Sequence, residues 1–156
     1  MVQTLRGWTL VAFGRLIAGI GIMLISTQLV TAQGGQVHVI GNDRGGLIGA
    51  RVREIAQINA EQARVELRGR ICYSSCTLYL GADDVCVSAN TTFGFHGPSR
   101  YGQPLPAERF EHWSDVMARH YQPALRNWFM QEGRHRIVGY YQLRGAQLIQ
   151  LGYPSC

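Results

Sequence analysis

Apolar and polar positions alternate along this chain in two rhythms, one of period two and one of about 3.6. Val37 to Ile40 is a short β-rich apolar run, and Gly41-Asn42-Asp43-Arg44-Gly45-Gly46 follows it with the glycines and Asn-Asp pair of a tight loop. Ile48, Val52, Ile55 and Asn59 then fall at helical spacing, which predicts a helix of about four turns up to Gln62. From Arg64 to Ile71, Val65, Leu67 and Ile71 alternate with charged residues. This predicts a second strand that ends in Cys72-Tyr73-Ser74-Ser75. Thr77 to Ala82 reads as a short helix, Val85 to Val87 as a third strand, and Thr92 to His96 as a further β segment rich in β-branched and aromatic residues.

Pro98, Gly102, Pro104 and Pro106 mark a loop. Beyond it Phe110, Trp113, Met117, Tyr121, Leu125 and Trp128 recur at three- and four-residue steps as an amphipathic helical stripe, which Pro123 is expected to kink or divide. Such a stripe is usually a core or subunit-contact face. Ala146, Leu148, Ile149 and Leu151 form a last short helix, closed by Gly152. Strands that alternate with helices predict an α/β layered domain.

The length of 156 residues and the 46% apolar fraction suit one hydrophobic core, and no internal repeat is present. Formal charge is +5, and all 15 basic residues are arginine. The absence of lysine excludes Schiff-base catalysis and a Ser/Lys dyad, because both need an ε-amine. The arginines are spread along the chain from Arg44 to Arg144, which argues for a mildly basic solvated surface and against nucleic acid as a partner.

No charged residue occurs from Leu16 to Val30, Arg6 and Arg15 precede that run, and Val30-Thr31-Ala32 has the small-residue spacing of a signal-peptidase site. Residues 1–32 therefore read as a secretory signal cleaved after Ala32, or as a membrane anchor over residues 8–30, with the folded domain at 33–156. Export to the periplasm or beyond follows. All four cysteines (Cys72, Cys76, Cys86 and Cys156) lie in that domain, and an even count outside the cytosol favours disulfides over metal ligation. Four cysteines allow three connectivities. The sequence does not choose among them, and the pairing preferred is Cys72 with Cys86 and Cys76 with Cys156.

Acyl-transfer chemistry needs a nucleophile beside a base, together with backbone N–H donors placed where the oxyanion forms. Ser75 lies at the junction of a strand and a helix, Gly45 and Gly46 offer unencumbered N–H groups at another strand end, and His96 ends a strand. Each feature alone has an ordinary structural explanation as an N-cap, a turn or a structural histidine.

In order and spacing, Asp43-Arg44-Gly45-Gly46 before a helix, Cys72-Tyr73-Ser74-Ser75-Cys76 opening a helix, and Phe93-Gly94-Phe95-His96 together resemble the proteolytic subunit of the Clp protease. That subunit belongs to the crotonase-like superfamily. The resemblance covers residues 37 to 96, with an echo at Gly145 to Gly152. It also extends to small exported bacterial members in which cysteines flank the serine. It implies a crotonase-like layered β-α-β domain, truncated on its N-terminal side, with Ser75 as nucleophile and His96 as general base. The N–H groups of Gly46 and Cys76 would form the oxyanion hole.

The function implied is an exported, peptidase-like serine hydrolase acting on a peptide or ester without a cofactor. The alternative is an inactive binding module of the cell envelope. The acidic third member expected before the last helix is missing, since Ile137 to Leu143 holds no Asp or Glu, and Asp83, Glu111 and Asp115 are the substitutes to examine. The Trp113/Trp128 face is the candidate surface for self-association. His112, His120 and His135 lack compact metal-site spacing, so no metal is expected, and Asp83-Asp84 reads as a turn.

Overall fold

The computed structural model describes residues 35–156. The reading of residues 1–32 as a signal or anchor falls outside them. The described part is mixed α/β with three small sheets. β1 (Val37–Ile40), β2 (Arg64–Leu67) and β4 (Val85–Val87) form a parallel sheet in the order β1-β2-β4. β3 (Ile71–Tyr73), β5 (Thr92–Phe95) and β8 (Tyr141–Arg144) form a second sheet, in which β5 runs parallel to β3 and antiparallel to β8. β6 (Ser99–Arg100) and β7 (Gln103–Pro104) make a small hairpin.

The strand expected over Arg64 to Ile71 is divided between the two sheets. Gly69 marks the division because a Cβ there would lie 2.1 Å from the Gly41 carbonyl oxygen. That approach is closed to any other residue. The chain therefore leaves β2 against β1 and enters β3 beside the Asp43 loop, with the Tyr73 N–H donating to the Asp43 carbonyl at 2.9 Å.

α1 (Ile48–Ala60) buries Ile55, a position of its predicted apolar stripe, together with Ile58, which lies outside that stripe. The 3-10 helix Ser74–Gly81 starts three residues before the helix expected from the sequence. The long aromatic stripe is two helices, α2 (Ala107–Ala118) and α3 (Pro123–Gln131), with Pro123 in the first turn of α3, where its missing N–H costs no hydrogen bond. α4 (Gly145–Gln150) closes the order. One core joins both main sheets to the helices through Val65, Leu78, Phe93, Phe129 and Leu148, all fully buried.

The disulfides join Cys72 to Cys76 and Cys86 to Cys156, with no free cysteine. The expected pairing of Cys72 with Cys86 and Cys76 with Cys156 is overturned. Cys72 and Cys86 lie on strands of different sheets, whereas the turn into the 3-10 helix brings the Cα atoms of Cys72 and Cys76 to 5.3 Å. The tail runs beside β4, with the Val87 N–H donating to the Pro154 carbonyl at 2.9 Å and the Cys156 N–H to the Val87 carbonyl at 3.1 Å. That pairing delivers Cys156 to Cys86. Two disulfides fit an oxidising, extracytoplasmic setting. Among the described residues, no helix is long and apolar enough to cross a membrane.

Candidate functional site

β3 and β5 are parallel neighbours with Tyr73 opposite Gly94, so the residues that follow them, Ser74 and His96, leave the same end of the sheet. Gly94 makes room there, because a Cβ would meet the Tyr73 ring at 2.5 Å. His96 Nε2 lies 2.8 Å from Ser74 Oγ. Ser74 has φ of +57°, a left-handed conformation rare for a residue with a side chain. Such a residue between a strand and a helix has the character of a nucleophile elbow, which turns its hydroxyl out of the strand's alternation.

Of the two adjacent serines, the structure brings Ser74, and not the expected Ser75, to His96. Ser75 is fully buried, and its Oγ has no hydrogen-bond partner among the described residues. It cannot meet a substrate. The helix begins at Ser74, three residues earlier than the sequence suggests, which places Ser74 at the junction and sends Ser75 into the core. The backbone N–H that follows the candidate nucleophile is then that of Ser75, in the first turn, where helical N–H groups lack intrahelical acceptors. Cys76, the donor expected from the resemblance, is fully buried one position further on and tied into its disulfide.

Gly46 follows Gly45 in the loop that packs against Ser74. The Gly45 N–H is committed to Asp43 Oδ1 at 2.6 Å, whereas the exposed Gly46 N–H has no acceptor among the described residues. Asp43 Oδ2 in turn takes a charge-assisted bond from Arg51 at 2.6 Å. Arg51 also bonds Glu54 and the Tyr79 hydroxyl, and its guanidinium carbon lies 4.3 Å over the Tyr79 ring centre. Asp43 thus holds the glycine loop, and α1 with the 3-10 helix holds Asp43. Burial, reinforced by the bond to Glu54, pushes the Tyr79 hydroxyl well above its ordinary pKa, so it stays protonated as a donor in this network.

Gly45 packs against the candidate nucleophile. Its φ is +92°, and a Cβ there would lie 2.5 Å from Ser74 Cβ and 3.0 Å from Ser74 Oγ. Gly45→Ala is expected to cost about 1–3 kcal/mol of stability through strain, and to slow modification of Ser74 by about tenfold as the loop moves off the hydroxyl. Urea unfolding together with the rate of fluorophosphonate labelling checks this, and an unchanged labelling rate would remove Gly45 from the site.

His96 is held by packing. The Tyr140 ring meets it edge-on at 5.4 Å and also stacks on Tyr73 at 4.6 Å. On the other side Gly97 donates its N–H to the Arg136 carbonyl at 2.8 Å, and a Cβ on Gly97 would lie 1.8 Å from the Arg134 carbonyl oxygen. His96 Nδ1 is buried without a hydrogen-bond partner among the described residues. None of the substitute acids reaches it. Glu111 pairs with Arg134 at 2.6 Å, and Asp83 and Asp115 are exposed elsewhere without a bond to His96. Burial lowers the His96 pKa from its ordinary 6.5, and a weak backbone contact with Gly97 opposes that shift in part.

The imidazole is therefore neutral at pH 7, the state a general base requires. Labelling of Ser74 should rise with pH to a plateau whose apparent pKa lies below 6.5. The sign for stability follows from the same shift. A depressed folded-state pKa means that the unfolded chain binds the proton more tightly. The stability that His96 contributes is present above its unfolded value and is lost as pH falls through its folded one. A midpoint above 6.5 in a pH series of labelling rates would contradict burial as the dominant cause.

Trp113 and Trp128 occupy different surroundings. Trp128 meets Phe95 at 5.6 Å and Tyr141 at 5.7 Å, both edge-on, whereas Trp113 reaches over Gly49 of α1. Among the described residues, no group of three or more His, Cys, Asp or Glu side chains is placed to hold a metal ion. No family model, curated protein or solved structure matches the chain.

Proposed function

We propose that this protein is an exported serine hydrolase of the crotonase-like, Clp-protease type, with Ser74 as nucleophile and His96 as base. The observation that carries this reading is the 2.8 Å approach of His96 Nε2 to the hydroxyl of a serine in left-handed conformation at a strand end. The order of parts supports the fold assignment. A strand leads into a glycine loop and helix, a further strand delivers the serine at the start of a helix, and a later strand delivers the histidine.

In the reaction, Ser74 Oγ attacks the substrate's acyl carbon while its proton passes to His96 Nε2. The N–H groups of Gly46 and Ser75 receive the developing oxyanion. The imidazolium returns the proton to the departing amine or alcohol as the acyl bond breaks. Water, deprotonated by His96, then attacks the acyl-enzyme, and the carboxylic acid leaves with the Ser74 hydroxyl restored. Neither a metal nor an organic cofactor has a part in this sequence.

Mass spectrometry of the folded, disulfide-intact protein after fluorophosphonate treatment tests the proposal. A stoichiometric adduct on Ser74 is expected. The bare Nδ1 of His96 favours a second reading, a catalytically silent member of the same fold that binds peptides, because a triad base depends on an acid for its orientation. An unlabelled Ser74 in folded protein would establish that reading over the first.

A further inference from the structure

Beside the Ser74–His96 pair lies an open cleft of about 670 Å³, within the range of pockets that take small ligands. It is continuous with the site through backbone. Gly46, the proposed oxyanion donor, forms part of one wall, and Pro98, two residues beyond His96, forms part of another. A ligand in this cleft therefore lies against the loop that carries Gly46 and the segment that follows His96.

The chemistry of the walls is one-sided. Leu47, Leu105 and Trp113 supply apolar surface, and Leu47 is 81% exposed. Arg53 on α1, Arg100 on β6 and Arg109 on α2 supply three cations. No Asp or Glu lines the cleft, and none of the three arginines makes an ion pair among the described residues. By contrast Arg51, Arg64, Arg68 and Arg134 each have a carboxylate partner. The cations also come from three separate elements, so they address an extended ligand with more than one negative charge better than a single compact anion.

We infer that this cleft selects the substrate of the Ser74 site, and that it takes an extended peptide in which a large apolar side chain is flanked by acidic ones. This rests on the hydrolase reading for its place in catalysis, but the cleft's preference can be measured without turnover. The probe is a fluorescein-labelled peptide Glu-Leu-Phe-Glu titrated into Ser74→Ala protein and followed by anisotropy, with Lys-Leu-Phe-Lys as its counterpart.

The acidic peptide should bind at least about tenfold more tightly than the basic one. Arg53→Gln combined with Arg109→Gln should weaken it by about tenfold, as should raising ionic strength from about 0.05 to 0.5 M. Both arginines are exposed, so the variant retains its fold. Equal affinity for the two peptides overturns the inference, as does binding that ignores the arginine replacements. Sedimentation with phosphatidylglycerol vesicles in the absence of peptide binding also overturns it, in favour of a lipid surface. Failure of the hydrolase reading is seen separately. Acidic-peptide binding with no fluorophosphonate adduct on Ser74 of the unmutated protein keeps the cleft's selectivity and removes the chemistry.

Discussion

Ser74→Ala should abolish the fluorophosphonate adduct and lower ester or peptide turnover by a factor on the order of 10⁴ to 10⁶, while Ser75→Ala leaves both nearly intact. The contrast is sharp because the two hydroxyls are adjacent in sequence and opposite in environment. Ser74 Oγ is bonded to a neutral imidazole, so under the proposed mechanism its loss removes the group that forms the acyl bond. Ser75 Oγ is buried with no partner among the described residues, so replacing it removes an unsatisfied polar atom and should be neutral or slightly stabilising. Steady-state hydrolysis of an activated ester, measured on both variants, decides the matter. If turnover depended on Ser75 and not on Ser74, the site drawn above would be wrong.

The second large effect concerns stability. Removing the Cys86–Cys156 disulfide by Cys86→Ala with Cys156→Ala should cost about 4 kcal/mol, and removing Cys72–Cys76 by the matching pair should cost only about 2 kcal/mol. The difference comes from the unfolded chain. One bridge closes a separation of 70 residues and the other a separation of 4, and the entropy withheld from the unfolded state grows with loop length. A loss of about 4 kcal/mol is a large share of the 5–15 kcal/mol by which domains of this size are stable. Equilibrium urea unfolding of the two double variants measures both terms, and equal losses, or the reverse order, would show that native packing around the sulfurs outweighs chain entropy.

Much of the fold is visible in the order of apolar residues, and the exceptions have physical causes. β1, α1, β4, β5 and the division of the aromatic stripe at Pro123 follow from periodicity and from proline's missing N–H. The break at Gly69 does not, because apolar alternation continues across it, and only the approach of the Gly41 backbone forces the chain into a second sheet. β8 carried a legible signal. Tyr141 and Leu143 are half-buried while Gln142 and Arg144 are exposed, an alternation of period two.

At the site, the order of motifs brings attention to His96, which the structure sets beside a serine at the end of β3. The serine was displaced by one because composition does not reveal the sign of φ. What marks Ser74 is its central position between Cys72 and Cys76, a symmetry that becomes meaningful once those two sulfurs are joined. The Arg51–Asp43 brace behind the glycine loop had no sequence signal beyond the two residues themselves. It depends on α1 lying against the 3-10 helix, a long-range fact.

The bridge from Cys72 to Cys76 makes Ser74 the middle residue of a small covalent macrocycle. Chain conformations in which the two ends of that turn drift apart are removed from the ensemble, folded or not. When the surrounding core breathes, the elbow is therefore not dismantled and rebuilt with it. Its left-handed residue sits inside a covalent ring, so the turn that presents the candidate nucleophile keeps its two ends together when the domain around it loosens.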